Sequence, residues 1–260
     1  MKKSCFCLAV ALLFGFFSLS ANAIKEKEYH WYTTKRSDGK QALAASELLF
    51  VEELGGYYID HRHGDDHSEK VVYLTFDAGY ENGNTEKILN TLKEKNVPAA
   101  FFLLKHFVTE HPELVIRMQN EGHLVCNHTA HHKNLSFAEA SFIEKEIKEL
   151  ENAVLDATGK PVASYFRAPE GSFSRSMLQK IDAMGYRTIF WSIAYADWDN
   201  QNQPNEEKAL DLLRRRMHNG AVILLHPTSA TNAAILPRLI DTLQEEGYRF
   251  GTLDGLCLER

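Results

Sequence analysis

The chain has 260 residues, 44% of them hydrophobic, and a formal net charge of −6 at pH 7. That is enough apolar material for one sizeable core, and no low-complexity stretch suggests a second. The acidic balance excludes a polyanion-binding surface, so nucleic acid is not an expected partner.

The first 23 residues read as a cleaved secretory signal. Lys2 and Lys3 precede an apolar run from Cys5 to Phe17, and Ala21-Asn22-Ala23 places small residues at the −3 and −1 positions. The run has 13 residues, short of the roughly 20 that span a bilayer. An exported chain without stable membrane insertion is therefore expected. Its removal leaves 27 basic against 35 acidic residues, a charge of −8 over 237 residues. Cys5 and Cys7 leave with it, and Cys126 and Cys257 then either pair across the fold or stand as buried thiols.

Residues 24–69 read as an N-terminal extension packed on a main domain spanning 70–260, with a helix-like stretch over Gln41–Leu54. The polar run Asp60-His61-Arg62-His63-Gly64-Asp65-Asp66-His67 has metal-ligating residue types but no fixed spacing, so it reads as a solvated loop without assigned function.

From Lys70 short β-rich runs alternate with amphipathic segments. Strand ends fall near Asp77, Leu104, His128, Arg167, Ile193, His226 and Thr252, at intervals of 27, 24, 39, 26, 33 and 26 residues, the lengths of βα units. Apolar residues at three- and four-residue spacing predict helices over Thr85–Lys95, Pro112–Asn120, Phe137–Thr158, Ser176–Met184, Glu206–His218 and Ala233–Glu246. Most are followed by a glycine stop signal. Seven parallel strands with covering helices imply a barrel or a doubly wound sheet, and periodicity does not choose between them.

Parallel strands bring their carboxyl ends to one face, so polar residues scattered over 150 positions would meet at one pocket. Asp77 ends the first strand within Thr75-Phe76-Asp77-Ala78-Gly79, where a carboxylate can take a proton from water. His128 and His132 lie four apart, so one helical turn would place both imidazoles on one side to hold a divalent metal. Arg167 opens Arg167-Ala168-Pro169-Glu170-Gly171, a tight loop that can grip a carboxylate and aim a backbone N–H at a developing oxyanion. His226 follows a fully apolar strand, and Asp197 could orient and charge it. Taken singly, each has an ordinary structural reading as helix cap, core histidine or ion pair. Together they suggest metal-assisted hydrolysis.

The TFDAG, HTAHH, RAPEG, ADW and LLH segments, in that order, resemble the polysaccharide deacetylase family with its NodB-homology domain, over about residues 70–253. The resemblance implies an irregular (β/α)7 barrel. It implies Asp77 as catalytic base, Arg167 holding that base, His226 as general acid tuned by Asp197, the Glu170 backbone N–H at the oxyanion, and His128 and His132 as metal ligands. The family usually has a second Asp at position 78 completing the metal site. Ala78 cannot ligate, so a divalent ion, zinc or similar, would be held weakly. A branch similar to the spore-cortex muramic-acid de-N-acetylases that prepare the muramic δ-lactam also lacks that Asp. Tyr80–Gly83, the 31–36 segment and the 191–198 stretch resemble it too. The expected activity is de-N-acetylation of peptidoglycan strands, at N-acetylmuramic acid, in an extracytoplasmic cell-wall or spore-cortex compartment. Another peptidoglycan or chitin-type deacetylase is an alternative. A glycosidase using Asp77 and Asp197 would not need the histidines. A non-catalytic carbohydrate binder would fit Ala78 but not the retained Asp77, Arg167 and His226.

Overall fold

The computed structural model describes residues 26–257, so the expected signal segment lies outside the described residues. The strands are β1 (Tyr29–His30), β2 (Gly56–Tyr57), β3 (Lys70–Ala78), β4 (Ala100–Leu103), β5 (Leu124–Asn127), β6 (Ala163–Phe166), β7 (Ser172–Phe173), β8 (Arg187–Ile189), β9 (Ala221–Leu225) and β10 (Tyr248–Gly251). The helices are α1 (Phe50–Glu53), α2 (Thr85–Lys95), α3 (Lys105–Glu110), α4 (Pro112–Asn120), α5 (Ala140–Thr158), α6 (Arg175–Ala183), α7 (Glu206–Arg216), α8 (Ala230–Glu245) and α9 (Leu253–Leu256).

The seven expected strands are β3, β4, β5, β6, β8, β9 and β10, and all pair in parallel. β9 runs along one edge of β3. β10 and β4 share the other, β10 against residues 70–73 and β4 against residues 75–78. β8 is shorter than the apolar run predicts. Beyond Ile189 the chain leaves regular pairing, but Ser192 N–H donates to Val222 O (2.9 Å) and Leu224 N–H to Ile193 O (2.9 Å). These bonds join β8 to β9 and curl the sheet into the irregular barrel. Into the gap below them fits the N-terminal extension: β2 pairs with β8, and Ile59 bridges to Ala221. The helix-like stretch at 41–54 is broken, with helical turns only at Ser46–Leu48 and α1.

Alternation along β3 sorts its side chains. Val72, Leu74, Phe76 and Ala78 pack outward among Ile88, Leu89 and Leu92 of α2 and residues of α8. Val71 and Tyr73 point into the lumen with Ala100, Phe102, Cys126, Tyr165, Ile189 and Val222, and α9 plugs its base with Leu253 and Leu256. Cys126 and Cys257 are both buried thiols in this lumen cluster, one of the two states open to them. Asp77 shares the parity of Val71 and Tyr73 and stands at the mouth.

Asn219, just before β9, ties the barrel base together. Its Oδ1 accepts from Val71 N–H (2.8 Å), and its Nδ2 donates to the carbonyls of Gly64 (3.2 Å) and Glu69 (2.9 Å). Asn219→Ala leaves the buried Val71 N–H unsatisfied and frees the two carbonyls, and is expected to destabilise the fold by about 1–3 kcal/mol. Urea denaturation reads this as a lower midpoint, and an unchanged midpoint would show that water replaces the amide at no cost.

Candidate active site

Five of the predicted site residues, Asp77, His128, His132, Glu170 and His226, line one cleft of about 1160 Å³. Arg167 and Asp197 are buried behind this surface. The charged groups form two pairs, each of a carboxylate and a cationic side chain.

In the first pair, Arg167 Nη1–H donates to Asp77 Oδ1 at 2.7 Å. Its guanidinium is completely buried, with Nε donating to Ile189 O (2.9 Å) and Nη2 to Phe190 O (3.4 Å), and it lies 4.1 Å from the Phe102 ring centroid. The early end of β8 supplies these two carbonyls: the chain leaves ladder pairing beyond Ile189, and the oxygens of Ile189 and Phe190 turn to Arg167. Burial raises the Asp77 pKa, but the Arg167 charge outweighs it and holds the carboxyl below the ordinary carboxylate range. Asp77 is therefore ionised across the neutral range.

In the second pair, Asp197 receives Nδ1–H of His226 (2.7 Å) on one oxygen and the His226 backbone N–H (2.8 Å) on the other. Asn232 of α8 completes the set, donating to Asp197 Oδ2 (2.6 Å) and His226 O (3.0 Å). Burial opposes charge on the imidazole, yet the bond to Asp197 and the charges of Asp197 and Asp77 win, so the His226 pKa lies above its ordinary value. With Nδ1 committed to Asp197, Nε2 is the nitrogen left for the cleft.

His128 and His132 meet with ring centroids 5.0 Å apart, though no helix holds them. The predicted helical turn is replaced by a loop in which Thr129 (φ 71°) and His132 (φ 54°) take the left-handed conformation. Side chains fix that loop. Thr129 N–H donates to Asn127 Oδ1, His132 N–H to Thr129 Oγ1 (both 2.9 Å), and the backbone N–H and Nδ1 of His131 bond the two oxygens of Glu146 at 2.9 and 2.8 Å. Glu146 is a buried carboxylate on α5. Neither it nor Asn232 stands at a strand end, so sequence reasoning missed both. A carboxylate on the apolar face of an otherwise amphipathic helix was the one available signal for Glu146.

The two imidazoles suit a divalent ion. His128 Nδ1–H donates to Arg167 O (2.9 Å), which leaves Nε2 with its lone pair, 3.6 Å from Asp77 Oδ2. Burial lowers the pKa of both rings, that of His128 to about 4, so both are neutral ligand donors at pH 7. Ala78 adds nothing, since its side chain packs in the outer apolar core.

Glu170 lines the cleft with φ 58° and ψ 8°, a conformation rare for a non-glycine residue. Gly171 after it has φ 65°, and a Cβ there would meet Trp191 Cη2 at 2.8 Å. The turn is held by the extension: Trp31 N–H donates to Gly171 O (2.8 Å), and Trp31 Nε1–H to Trp191 O (2.8 Å).

Arg167→Ala removes one partner of a buried ion pair and leaves Asp77 uncompensated, for an expected loss of about 3–5 kcal/mol. Arg167→Lys keeps the charge without the fork that reaches Ile189 and Phe190, and should recover only part of that stability. Thermal melting of both variants checks this, and a melting point unchanged in Arg167→Ala would mean that the pair contributes nothing net.

A family model described as polysaccharide deacetylase matches residues 64–189. An uncharacterised 30.6 kDa protein of Geobacillus stearothermophilus is 39% identical over 253 residues, 97% of this chain and 94% of its own length. The peptidoglycan-N-acetylmuramic acid deacetylase PdaA of Bacillus subtilis is 37% identical over 262 residues, covering 100% of this chain and 97% of PdaA. The solved structure of B. subtilis PdaA, a family 4 carbohydrate esterase, superposes with a TM-score of 0.83 and 36% identity, over 89% of this chain and 97% of that one. With the same folded barrel and end-to-end similarity, this chain belongs to the polysaccharide deacetylase family and is a hydrolase of linear amide C–N bonds.

Proposed function

We propose that the protein removes the N-acetyl group from N-acetylmuramic acid in peptidoglycan, outside the cytoplasmic membrane, and that its product is the free amine from which a muramic δ-lactam forms in spore cortex. The observation that carries the chemistry is that an ionised Asp77 and a readily protonated His226 open on one cleft, each fixed by a buried partner. The end-to-end relative named for N-acetylmuramic acid supports the choice of sugar. Among the described residues no helix is long and apolar enough to cross a membrane, and residues 1–23 have the pattern of a secretory signal.

Asp77 accepts a proton from water, whose oxygen attacks the acetyl carbonyl carbon. Arg167 keeps Asp77 ionised and aimed, and the Glu170 N–H is the candidate donor to the developing oxyanion. His226, protonated, gives its Nε2 proton to the leaving nitrogen as the C–N bond breaks, while Asp197 stabilises the imidazolium. The products are acetate and a free amino sugar. His128 and His132 would hold a divalent ion, which when bound polarises the carbonyl as a Lewis acid. With Ala78 in place of a third protein ligand, that ion would be weakly held. Burial of Asp197 behind His226, and its absence from the cleft wall, argue against a glycosidase, which needs two carboxylates facing the glycosidic bond.

Asp77→Asn preserves shape but cannot accept the proton, and acetate release from purified peptidoglycan is expected to fall about 10²–10⁴-fold. Assaying reducing ends in parallel separates the readings: acetate without reducing ends supports deacetylation, and new reducing ends in its place would make the enzyme a glycosidase.

The pH profile follows from the two pKa directions. Asp77 must be ionised, so activity falls at low pH, below the ordinary carboxylate range. His226 must be protonated, so activity is present below its raised pKa and is lost as pH rises through it. Asp197→Asn removes the charge that raises that pKa while burial remains, so the basic limb of kcat/KM should move to lower pH by about one unit or more. A basic limb that stays in place would assign the proton donor elsewhere.

A further inference from the structure

The geometry points to a second divalent-cation site, made by His63, His67 and Glu69 at the amino-terminal end of the barrel. One ligand atom from each residue lies within 4.8 Å of the others. Glu69 precedes β3 and Asp77 stands near its far end, so at about 3.3 Å per residue the site is roughly 25 Å from the cleft and takes no part in the reaction described above.

Three features distinguish it from a solvated polar loop. The first is orientation. Asp60 is only 2% exposed, and its Oδ2 accepts from His63 Nδ1 at 2.7 Å. That bond fixes the tautomer, so His63 Nε2 carries the lone pair, and it faces Glu69 Oε2 at 3.4 Å. Two electron-rich atoms at that distance repel unless a proton or a cation lies between them. A buried carboxylate behind a histidine is the arrangement that orients metal-ligating imidazoles. Tyr73 and Arg62 hold Asp60 in turn.

The second is preorganisation. Asn219 Nδ2 bonds the carbonyls of Gly64 and Glu69, and Gln41 Nε2 bonds those of Asp60 (2.8 Å) and His63 (3.1 Å). The loop is therefore shaped by groups that would not touch the ion, and little ordering cost is left for binding.

The third is division of labour within each ligand. Glu69 Oε1 bonds Arg249 on β10, which leaves Oε2 toward the histidines. His67 Nδ1 sits between Glu69 N–H (3.1 Å) and Glu69 O (3.2 Å), and a cation on Nε2 would select the tautomer in which Nδ1–H donates to the carbonyl. Two imidazoles and one carboxylate favour zinc or a similar ion over calcium or magnesium, which prefer all-oxygen shells. The bound ion would close the 63–69 loop where the extension enters β3.

The test reads metal alone, so its outcome does not depend on the deacetylase mechanism. In a His128→Ala/His132→Ala chain, which lacks the cleft imidazoles, isothermal titration with Zn2+ should still find one ion per chain, and Co2+ should give the absorption bands of a tetrahedral site. Adding His67→Ala, or Glu69→Gln, should weaken Zn2+ binding at least about tenfold. In the otherwise unsubstituted chain, His67→Ala should lower the zinc stoichiometry by one. His67 is exposed, and metal-free melting of its variant checks that the fold is kept. Absence of zinc binding in the first chain would assign the His63 contact to a proton shared between Asp60 and Glu69 and overturn the proposal. Binding unchanged by both added substitutions would overturn it equally.

Discussion

The site depends on one buried guanidinium. Arg167 occupies the barrel lumen near its mouth, where an unpaired charge would be costly, and each of its three nitrogens donates once, to one carboxylate and two backbone carbonyls. Its own carbonyl receives Nδ1–H of His128. A single residue therefore keeps Asp77 ionised and fixes which nitrogen of His128 faces the cleft. The carbonyls of Ile189 and Phe190 are available to it only because β8 stops early, and the irregular 190–193 segment is held in place by Trp31 of the extension. The barrel's irregularity is thus part of how the charge is accommodated.

The two pairs use the same contact length for opposite ends. Asp77 faces a cation that does not titrate, so its pKa falls and it stays a carboxylate. Asp197 faces a cation that does, so the effect appears as a raised His226 pKa. Exchange of roles is blocked by burial: Asp197 is closed in by His226 and Asn232, whereas Asp77 reaches the cleft. Two aspartates of equal intrinsic acidity are set apart by their neighbours alone, one open to the cleft and one buried behind an imidazole.

Much of this was legible in the sequence, because strand period, helix period and glycine stops all agree. α2 and α4 have the bounds that apolar spacing predicts, and four of the seven expected strand ends, Asp77, Leu104, His128 and His226, line the cleft. The failures share a cause. The His128–His132 spacing suits a helix locally, but Glu146, Asn127 and Thr129 impose left-handed backbone that no propensity signals. The 41–54 stretch has helical spacing, but Ala44, Leu48, Phe50 and Val51 are buried in one cluster with Trp31, Tyr58 and Phe173, and only short helical turns form. β2 is two residues long and is a strand only because β8 lies beside it. Each depends on contacts distant in sequence, which a one-dimensional pattern does not carry.

The same distant contacts explain why the extension belongs to the barrel. The backbone bonds that join the chain beyond β8 to β9 come from residues 192–193, and below them β2 and the Ile59 bridge supply the pairing that β8 and β9 do not give each other. Filling that gap brings Asp60 into the base, where Tyr73, Arg62 and His63 satisfy it. The extension also reaches the mouth, where Trp31 supports the Gly171 turn. One segment thus supports the barrel at both ends of the lumen, at the base through β2 and Ile59 and at the mouth through Trp31.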